Sequence, residues 1–222
     1  MPDGSPGVPV GARARVITVS DRVYAGGYTD SSGPLAAGAL GRIGFVVDDV
    51  AVVPDESDAI VTALEAAVSA GVHLVVTTGG TGLAPRDVTP EATRLVIDRE
   101  VPGLAEALRA AGRAKVPTAV LSRGIAGVRG GTLVVNLPGS TGGVADGVTV
   151  LAGVVGHAVA QIRGGGDHGR TDFRDDDHDH VGPPGQVIAD RAHGGGAHSG
   201  GAGGAHGTDG AEDAGRGPRK MG

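Results

Sequence analysis

Short apolar runs recur along the first three quarters of the chain, separated by stretches whose apolar residues have helical spacing. The run His73-Leu74-Val75-Val76 is typical of these and is bounded by glycine on both sides, as expected for a buried strand. The pattern predicts strands over 14–20, 45–53, 73–78, 118–122 and 132–137.

The segments between these runs carry helix signals. Ile60, Leu64 and Val68 fall at helical spacing and Gly71 follows them, which favours a helix that stops there. Ser32 precedes Gly33-Pro34, a cap followed by proline in the first turn. Helices are predicted from Ser32 onward and over 55–70, 91–99, 104–111 and 141–162.

Strands that alternate with helices indicate an α/β fold with a mostly parallel sheet. The glycine-rich link 123–131 between the last two strands is short, which leaves that pair open to antiparallel pairing.

The composition changes near Gly164. Residues 164–222 hold 18 of the 43 glycines and six of the eight histidines, with almost no aliphatic run. Such a segment buries too little apolar surface to offset the entropy of ordering it. We therefore expect a flexible N-terminus over 1–11, one folded domain over 12–163 and a disordered tail over 164–222. Within the tail, 175–180 could chelate a divalent metal or form a solvated acidic linker.

Composition also narrows the classes of function. The absence of cysteine excludes disulfides and thiolate metal sites, and the four aromatic residues are too few for a base-stacking surface. The net charge of -6 argues against a general nucleic-acid binder. No N-terminal signal segment or membrane-spanning run is apparent, so a cytoplasmic protein that binds neither nucleic acid nor membrane is expected.

Candidate chemistry collects where the predicted strands end. In a parallel sheet, ligands bind at the carboxyl ends of the strands. Five loops there offer hydroxyls, carboxylates or glycine amides; they begin at Ser20-Asp21, Pro54-Asp55, Thr78-Gly79-Gly80, Ser122-Arg123 and Leu137-Pro138-Gly139-Ser140.

The loop after the strand over 73–78 is the richest of the five. It contains Gly79-Gly80-Thr81-Gly82 and the acid Asp87, and it leads into a helix. A strand, a glycine-rich turn and a helix together favour binding of a phosphorylated ligand. The spacing is neither that of a dinucleotide fingerprint nor that of a P-loop, and neither lysine of the chain follows a glycine-rich turn.

Each of these residues also has a structural interpretation. Asp87 could bond to nearby amides in a turn, and Asp55 could cap the helix that follows it. Ser20-Asp21 could be an ordinary strand-end turn, and Pro138-Gly139-Ser140 a turn that ends in a helix cap. Ser122 and Arg123 are a non-specific pair that could contact phosphate.

Taken in order, these motifs resemble the MogA/MoaB-type molybdenum cofactor biosynthesis proteins, the group that includes molybdopterin adenylyltransferases and gephyrin-like domains. The matching stretches cover roughly residues 14–162; they are 19–22, 54–56, 77–93, 99–103, 121–123 and 136–140. The glycine loop followed by Pro85-Arg86-Asp87-Val88-Thr89-Pro90 is highly specific to this group.

The resemblance implies a three-layer α/β/α fold, usually in a homotrimer, and an enzyme that transfers AMP from ATP to the terminal phosphate of molybdopterin in the presence of Mg²⁺. A molybdate-insertion enzyme is then a partner, and a non-catalytic molybdopterin-binding or scaffold protein of the same pathway is the alternative. Asp55 and Asp87 match the family's two essential acids, and at least one is expected to help hold Mg²⁺ on the ATP. The expected molybdopterin- or phosphate-binding residues are Ser20, Asp21, Thr78, Gly79, Gly80, Thr81, Gly82, Ser122, Arg123, Pro138, Gly139 and Ser140.

Overall fold

The computed structural model describes residues 7–164. Seven strands form one sheet: β1 (Arg13–Val19), β2 (Val46–Val47), β3 (Ala51–Val53), β4 (Leu74–Thr78), β5 (Arg99–Glu100), β6 (Ala126–Arg129) and β7 (Thr132–Leu137). The helices are α1 (Asp21–Tyr24), α2 (Ser32–Arg42), α3 (Ser57–Ser69), α4 (Thr89–Val96), α5 (Pro102–Arg113) and α6 (Thr141–Ile162), with a 3-10 helix at Pro117–Leu121.

The sheet is mostly parallel, as the alternation of strands and helices predicts. Its order is β2-β1-β4-β7-β6-β5, and β3 pairs with β1 beside β2. All pairs made by β1 and β4 are parallel, whereas β6 pairs antiparallel with both β5 and β7. The register sets Thr18, Thr78 and Leu137 level with one another, so the loops after the three central strands begin side by side.

Helices cover both faces of the sheet. Val76 and Val135 pack on the side of α2 and α6, while their neighbours Val75 and Val134 pack on the side of α3 and α4. The central strands are buried on both faces, which explains their continuous apolar runs. The α/β architecture with helices on each side of the sheet is thus confirmed.

The longest helix, α6, is long and apolar enough to cross a membrane by length and composition alone. Its buried residues, however, include Val144, Leu151 and Val155, which belong to the hydrophobic core on one face of the sheet. A core helix of a globular domain meets the same criterion, so the apolar sequence has a structural explanation here.

The prediction of a strand over 118–122 is wrong. Pro117–Leu121 forms a 3-10 helix with no buried residue, and Val120 and Leu121 are about half exposed. The sixth strand is instead Ala126–Arg129, inside the predicted link. Its sequence lacks an apolar run because Gly127 packs against Ile97, where a Cβ would lie 2.4 Å from the Ile97 Cδ1 atom.

Other boundaries also differ from prediction. The strand predicted over 45–53 is two short strands, and the helix predicted over 91–99 ends at Val96 before β5. Ser32 lies inside α2 rather than at its cap; the Asp30 carboxylate caps the helix by accepting from the amides of Ser32 and Gly33, each at 3.0 Å. The short helix α1 was not predicted. Most of the predicted flexible N-terminus lies outside the described residues. Almost all of the predicted tail, including its acidic and histidine-rich segment, lies outside them as well.

Candidate functional site

Four of the five predicted loops line one polar cavity at the carboxyl ends of the strands. The cavity measures about 610 Å³. Among its lining residues are the predicted Ser20, Asp21, Asp55, Thr78, Gly79, Gly80, Thr81, Gly82, Asp87, Gly139 and Ser140. The parallel register explains this, because β1, β3, β4 and β7 all end on this side.

The glycine loop adopts a backbone that only glycine tolerates well. Gly79 has φ 100° and Gly80 has φ 61°. A Cβ at Gly79 would lie 2.3 Å from the carbonyl oxygen of Val19, and one at Gly80 would lie 2.3 Å from Thr89 Oγ1. These positions therefore have a structural reason to be glycine, which does not exclude a binding role.

The same loop lines the cavity and carries amides without a protein partner in the described part of the chain. Within residues 7–164, the amides of Gly80, Thr81 and Gly82 donate to no protein acceptor. The fold otherwise anchors the loop from behind: Thr89 donates from its amide to the Gly80 carbonyl at 3.1 Å and from Oγ1 to the Gly79 carbonyl at 3.0 Å. Fixed amides at the end of a buried strand can bind an anion without reorganising.

Asp55 does not cap the helix that follows it. The α3 cap position belongs to Glu56, and the Asp55 Oδ2 atom instead accepts the Asp21 amide at 2.8 Å. The Asp55 Oδ1 atom lies near Gly80, since a Cβ added at Gly80 would be 3.2 Å from it. Burial raises the pKa of Asp55, and the charges of Asp21 and Asp87 raise it further. Asp55 is thus a partly buried acid aimed at the glycine loop.

Asp87 closes a local turn and also lines the polar cavity. Its Oδ2 atom accepts the Ala84 amide at 2.7 Å, so it does close a local turn. The same carboxylate packs against Gly82, where a Cβ would lie 2.9 Å from Oδ2, and it lines the polar cavity. Asp55 and Asp87 therefore approach the glycine loop from two different segments of the chain.

Asp21 is held by the residue next to Asp87. Arg86 donates to both Asp21 carboxylate oxygens, from Nε at 2.5 Å and from Nη2 at 2.8 Å. The Arg86 hydrogen bond and the Asp55 amide hold the pKa of Asp21 below its usual value. Ser20 begins α1 by accepting the Val23 amide at 3.4 Å, so the ordinary turn interpretation of Ser20 has support as well.

Arg123 lies behind the glycine loop and outside the polar cavity. Its guanidinium donates to the Gly82 carbonyl at 2.7 Å, to the Asp87 carbonyl and to the Glu91 carboxylate. These three bonds occupy the side chain in holding the loop, whereas we expected it to contact phosphate. The structure gives it a supporting position.

A second, mostly apolar cavity of about 620 Å³ adjoins the polar one. Ser122 and Pro138 line this second cavity. Thr81, Gly82 and Ser140 line both cavities, and Ser140 Oγ also accepts the Gly143 amide at 3.1 Å to cap α6. The site therefore has two compartments that meet at the glycine loop.

Sequence reasoning missed the segment 28–32, which forms one wall of the polar cavity. Its Asp30 Oδ2 accepts the Thr18 hydroxyl at 2.6 Å, and the Ser32 and Thr78 hydroxyls lie 3.0 Å apart. The sequence did contain a signal for this segment, because Asp30 is followed three residues later by Gly33 at the start of a helix. Glycine is required at position 33, since a Cβ there would lie 2.4 Å from both Asp30 Oδ2 and Thr18 Oγ1.

Comparison with known proteins identifies the family to which the chain belongs. Residues 15–157 match the family described as the probable molybdopterin binding domain. A molybdopterin adenylyltransferase of Helicobacter pylori is 38% identical over 155 residues, 67% of this chain and 86% of that protein. The molybdenum cofactor biosynthesis bifunctional protein of Chlorobaculum tepidum is 38% identical over 154 residues, 69% of this chain and 49% of that protein.

The chain spans about half the length of this bifunctional protein and of a second one, from Synechococcus elongatus. Among solved structures, the molybdopterin biosynthesis Mog protein of Mycobacterium ulcerans matches with a TM-score of 0.65 and 52% identity, covering 68% of this chain and 99% of that one. The chain belongs to the molybdopterin-binding domain family of molybdenum cofactor biosynthesis proteins.

Proposed function

We propose that this protein is a molybdopterin adenylyltransferase, which transfers AMP from Mg-ATP to the terminal phosphate of molybdopterin. The observation that carries the proposal is that two carboxylates, Asp55 near Gly80 and Asp87 near Gly82, lie against a glycine loop whose amides are free within residues 7–164. The Helicobacter pylori relative, which is named molybdopterin adenylyltransferase, supports the same reaction.

The reaction joins two anions. An oxygen of the molybdopterin phosphate attacks the α-phosphorus of ATP, the bond from that phosphorus to the bridging oxygen breaks, and pyrophosphate leaves with the bonding electrons. The main obstacle is repulsion between the phosphates, so the site must orient them and compensate their charge. The amides of Gly80, Thr81 and Gly82 provide fixed donors for this purpose.

The two acids fit a metal that arrives with the nucleotide. Within residues 7–164 no group of three or more His, Cys, Asp or Glu is arranged to hold a metal ion. Mg²⁺ usually binds one or two carboxylates together with substrate phosphates, and a pair such as Asp55 and Asp87 suits that mode. Bound Mg²⁺ would neutralise phosphate charge, while the chain's own acids orient the nucleotide beside the glycine loop.

The two compartments suit two substrates. The phosphates would meet at the shared boundary of Thr81, Gly82 and Ser140, where the free loop amides and the N-terminus of α6 lie. Ser122 in the apolar compartment would contact the pterin side, and Asp21 and Gly139 belong to the polar compartment. A cytoplasmic homotrimer that passes its product to a molybdate-insertion enzyme belongs to the same proposal.

The proposal is tested by incubating the full chain with molybdopterin, ATP and Mg²⁺ and measuring adenylylated molybdopterin and pyrophosphate. We expect Asp87→Asn to abolish turnover while molybdopterin binding is largely retained. Asp58→Asn is the matched control, because Asp58 is an exposed acid in the first turn of α3 and does not line the site. Absence of product from well-folded wild-type protein refutes the proposal.

A non-catalytic molybdopterin-binding protein is the second candidate. The observation in its favour is that the Asp87 carboxylate already has a structural partner in the Ala84 amide. Calorimetric titration with Mg-ATP separates the two candidates, because a non-catalytic binder would neither bind nor consume the nucleotide.

A further inference from the structure

We propose that Asp21 and Arg86 are positioning residues that orient the Asp55 carboxylate, and that Arg86 acts through Asp21 rather than on a substrate phosphate. The inference rests on the proposed adenylyl transfer for its kinetic consequences. Its structural basis is a chain of hydrogen bonds that joins three of the loops around the polar cavity.

Asp21 and Asp55 are paired reciprocally. The Asp21 amide donates to Asp55 Oδ2 at 2.8 Å, and the Asp55 amide donates to Asp21 Oδ1 at 3.0 Å. Each residue therefore uses its backbone to hold the other's side chain. Rotation of the Asp55 carboxylate away from the glycine loop would break the first of these bonds.

Arg86 completes the arrangement from the segment that carries Asp87. Its planar guanidinium engages both Asp21 oxygens, which is the bidentate geometry that fixes a carboxylate in one orientation. Arg86 immediately precedes Asp87, so the same contact ties the segment of one acid to the segment of the other. Two acids from distant parts of the chain thus share one support.

The arrangement also controls charge. Asp21, Asp55 and Asp87 place three carboxylates around one cavity, and the Arg86 guanidinium is the cation bonded to one of them. With Asp21 neutralised by Arg86, two acids remain to meet the nucleotide and its metal. A freely available Arg86 would instead compete as a phosphate ligand, and the kinetics distinguish these cases.

The chain contains a matched control pair. Arg129 and Asp98 form an ion pair at 2.5 Å with 50% and 42% side-chain exposure, close to the 59% and 41% of Arg86 and Asp21. Asp98 likewise accepts a backbone amide, that of Gly130 at 2.9 Å. This pair lies outside both cavities of the site, so breaking it controls for the general cost of losing a surface ion pair.

The kinetic test compares Arg86→Gln with Arg129→Gln in the full chain. Because supporting residues of this kind typically contribute about 10- to 100-fold to activity, we expect Arg86→Gln to lower kcat by at least about tenfold. The KM for ATP should stay within about twofold of wild type, since Arg86 itself makes no contact with the nucleotide in this inference. Arg129→Gln should leave both constants unchanged.

Two further variants separate positioning from direct contact. Asp21→Asn keeps an acceptor oxygen for the Asp55 amide, so it should retain more activity than Asp21→Ala. The double variant Asp21→Ala/Arg86→Gln should be no slower than Asp21→Ala alone, because coupled residues are non-additive. Multiplicative losses in the double variant, or a raised KM for ATP at unchanged kcat in Arg86→Gln, would overturn the inference.

Amide hydrogen exchange tests the arrangement without any activity measurement. Loss of Arg86 should speed exchange of the Asp21 and Asp55 amides, whereas Arg129→Gln should leave them at wild-type rates. Wild-type exchange rates for both amides in Arg86→Gln refute the inference even if the enzyme is active. If the wild-type chain forms no product, the proposed function is refuted. The exchange rates of the Asp21 and Asp55 amides then test by themselves whether Arg86 supports these two residues.

Discussion

Arg123 donates a hydrogen bond from Nε to the carbonyl oxygen of Gly82 at 2.7 Å, from a position 41 residues further along the chain. The guanidinium also bonds to the Asp87 carbonyl, so one side chain bridges both ends of the segment between these residues. The Arg123 amide adds a bond to the Thr81 carbonyl at 2.8 Å. The loop that carries Asp87 therefore depends on a residue from outside it.

Replacing Arg123 should loosen this loop. We expect Arg123→Gln to lower the free energy of unfolding by about 1–3 kcal/mol, because the carbonyls of Gly82 and Asp87 and the Glu91 carboxylate lose a charged donor. Urea denaturation measures the effect, and activity should fall as well. Arg113→Gln, on the exposed last turn of α5, is the control; an equal loss of stability there would contradict the assignment.

The glycine loop should be intolerant of a single methyl group. Gly79→Ala would place a Cβ 2.3 Å from the Val19 carbonyl at a φ of 100°, and we expect a loss of at least about 1–3 kcal/mol of stability. Gly153→Ala, in the exposed middle of α6 with open space around it, should gain up to about 1 kcal/mol from helix propensity. Thermal denaturation of the two variants should therefore show shifts of opposite sign.

Activity should decline on acidification earlier than an ordinary aspartate would predict. Burial and the charges of Asp21 and Asp87 raise the pKa of Asp55, so its ionised form is lost as the pH falls through that raised value. If ionised Asp55 is needed for transfer, the acid limb of the kcat/KM profile lies above the usual range for Asp. An acid limb at the ordinary aspartate pKa would argue against this role.

Ionised Asp55 should lower the stability of the fold at neutral pH. Because the folded pKa of Asp55 lies above the unfolded one, its ionisation favours the unfolded state as the pH rises through that window. We expect Asp55→Asn to raise the melting temperature at pH 7 while removing activity, and the difference from wild type to shrink at acidic pH. A melting temperature that falls at pH 7 would show that Asp55 supports the fold instead.

Asn136 should be a structural residue beneath the site. Its buried amide donates to the Thr77 and Thr93 hydroxyls, both at 3.0 Å, and its Oδ1 accepts the Ile125 amide at 3.2 Å. Asn136→Ala leaves the Thr77 hydroxyl and the Ile125 amide buried without these bonds, while Thr93 keeps its bond to the Thr89 carbonyl. The loss should lower the free energy of unfolding by about 1–3 kcal/mol per unsatisfied group. Chemical denaturation should show this loss even with substrates absent; an unchanged midpoint would contradict it.

Local sequence predicted much of this molecule because the informative signals are local. The buried runs of β1, β4 and β7 and the long helix α6 appear in the structure close to their predicted limits. The glycine loop can be recognised from the sequence because Gly79 and Gly80 adopt positive φ, which glycine does more readily than other residues.

The failures arise from contacts between distant residues. The Asp55 carboxylate has its partner 34 residues earlier, at Asp21, so a helix cap was the natural but incorrect interpretation. The apolar residues Val120 and Leu121 are about half exposed, and Leu121 lines the apolar cavity rather than the core. Their apolar sequence made a 3-10 helix resemble a strand. Periodicity cannot distinguish these cases, because burial against other elements decides them.

The closeness of Gly79 to Val19 and to Gly139 has a consequence for how this site can diverge. A Cβ at Gly139 would lie 3.2 Å from the Gly79 Cα, so main-chain atoms of three strand ends form this part of the site directly. Substitution there alters the backbone itself and cannot exchange one ligand-facing group for another. Evolution or redesign of substrate preference is therefore confined to the surrounding side chains, such as Ser122 and the segment 28–32.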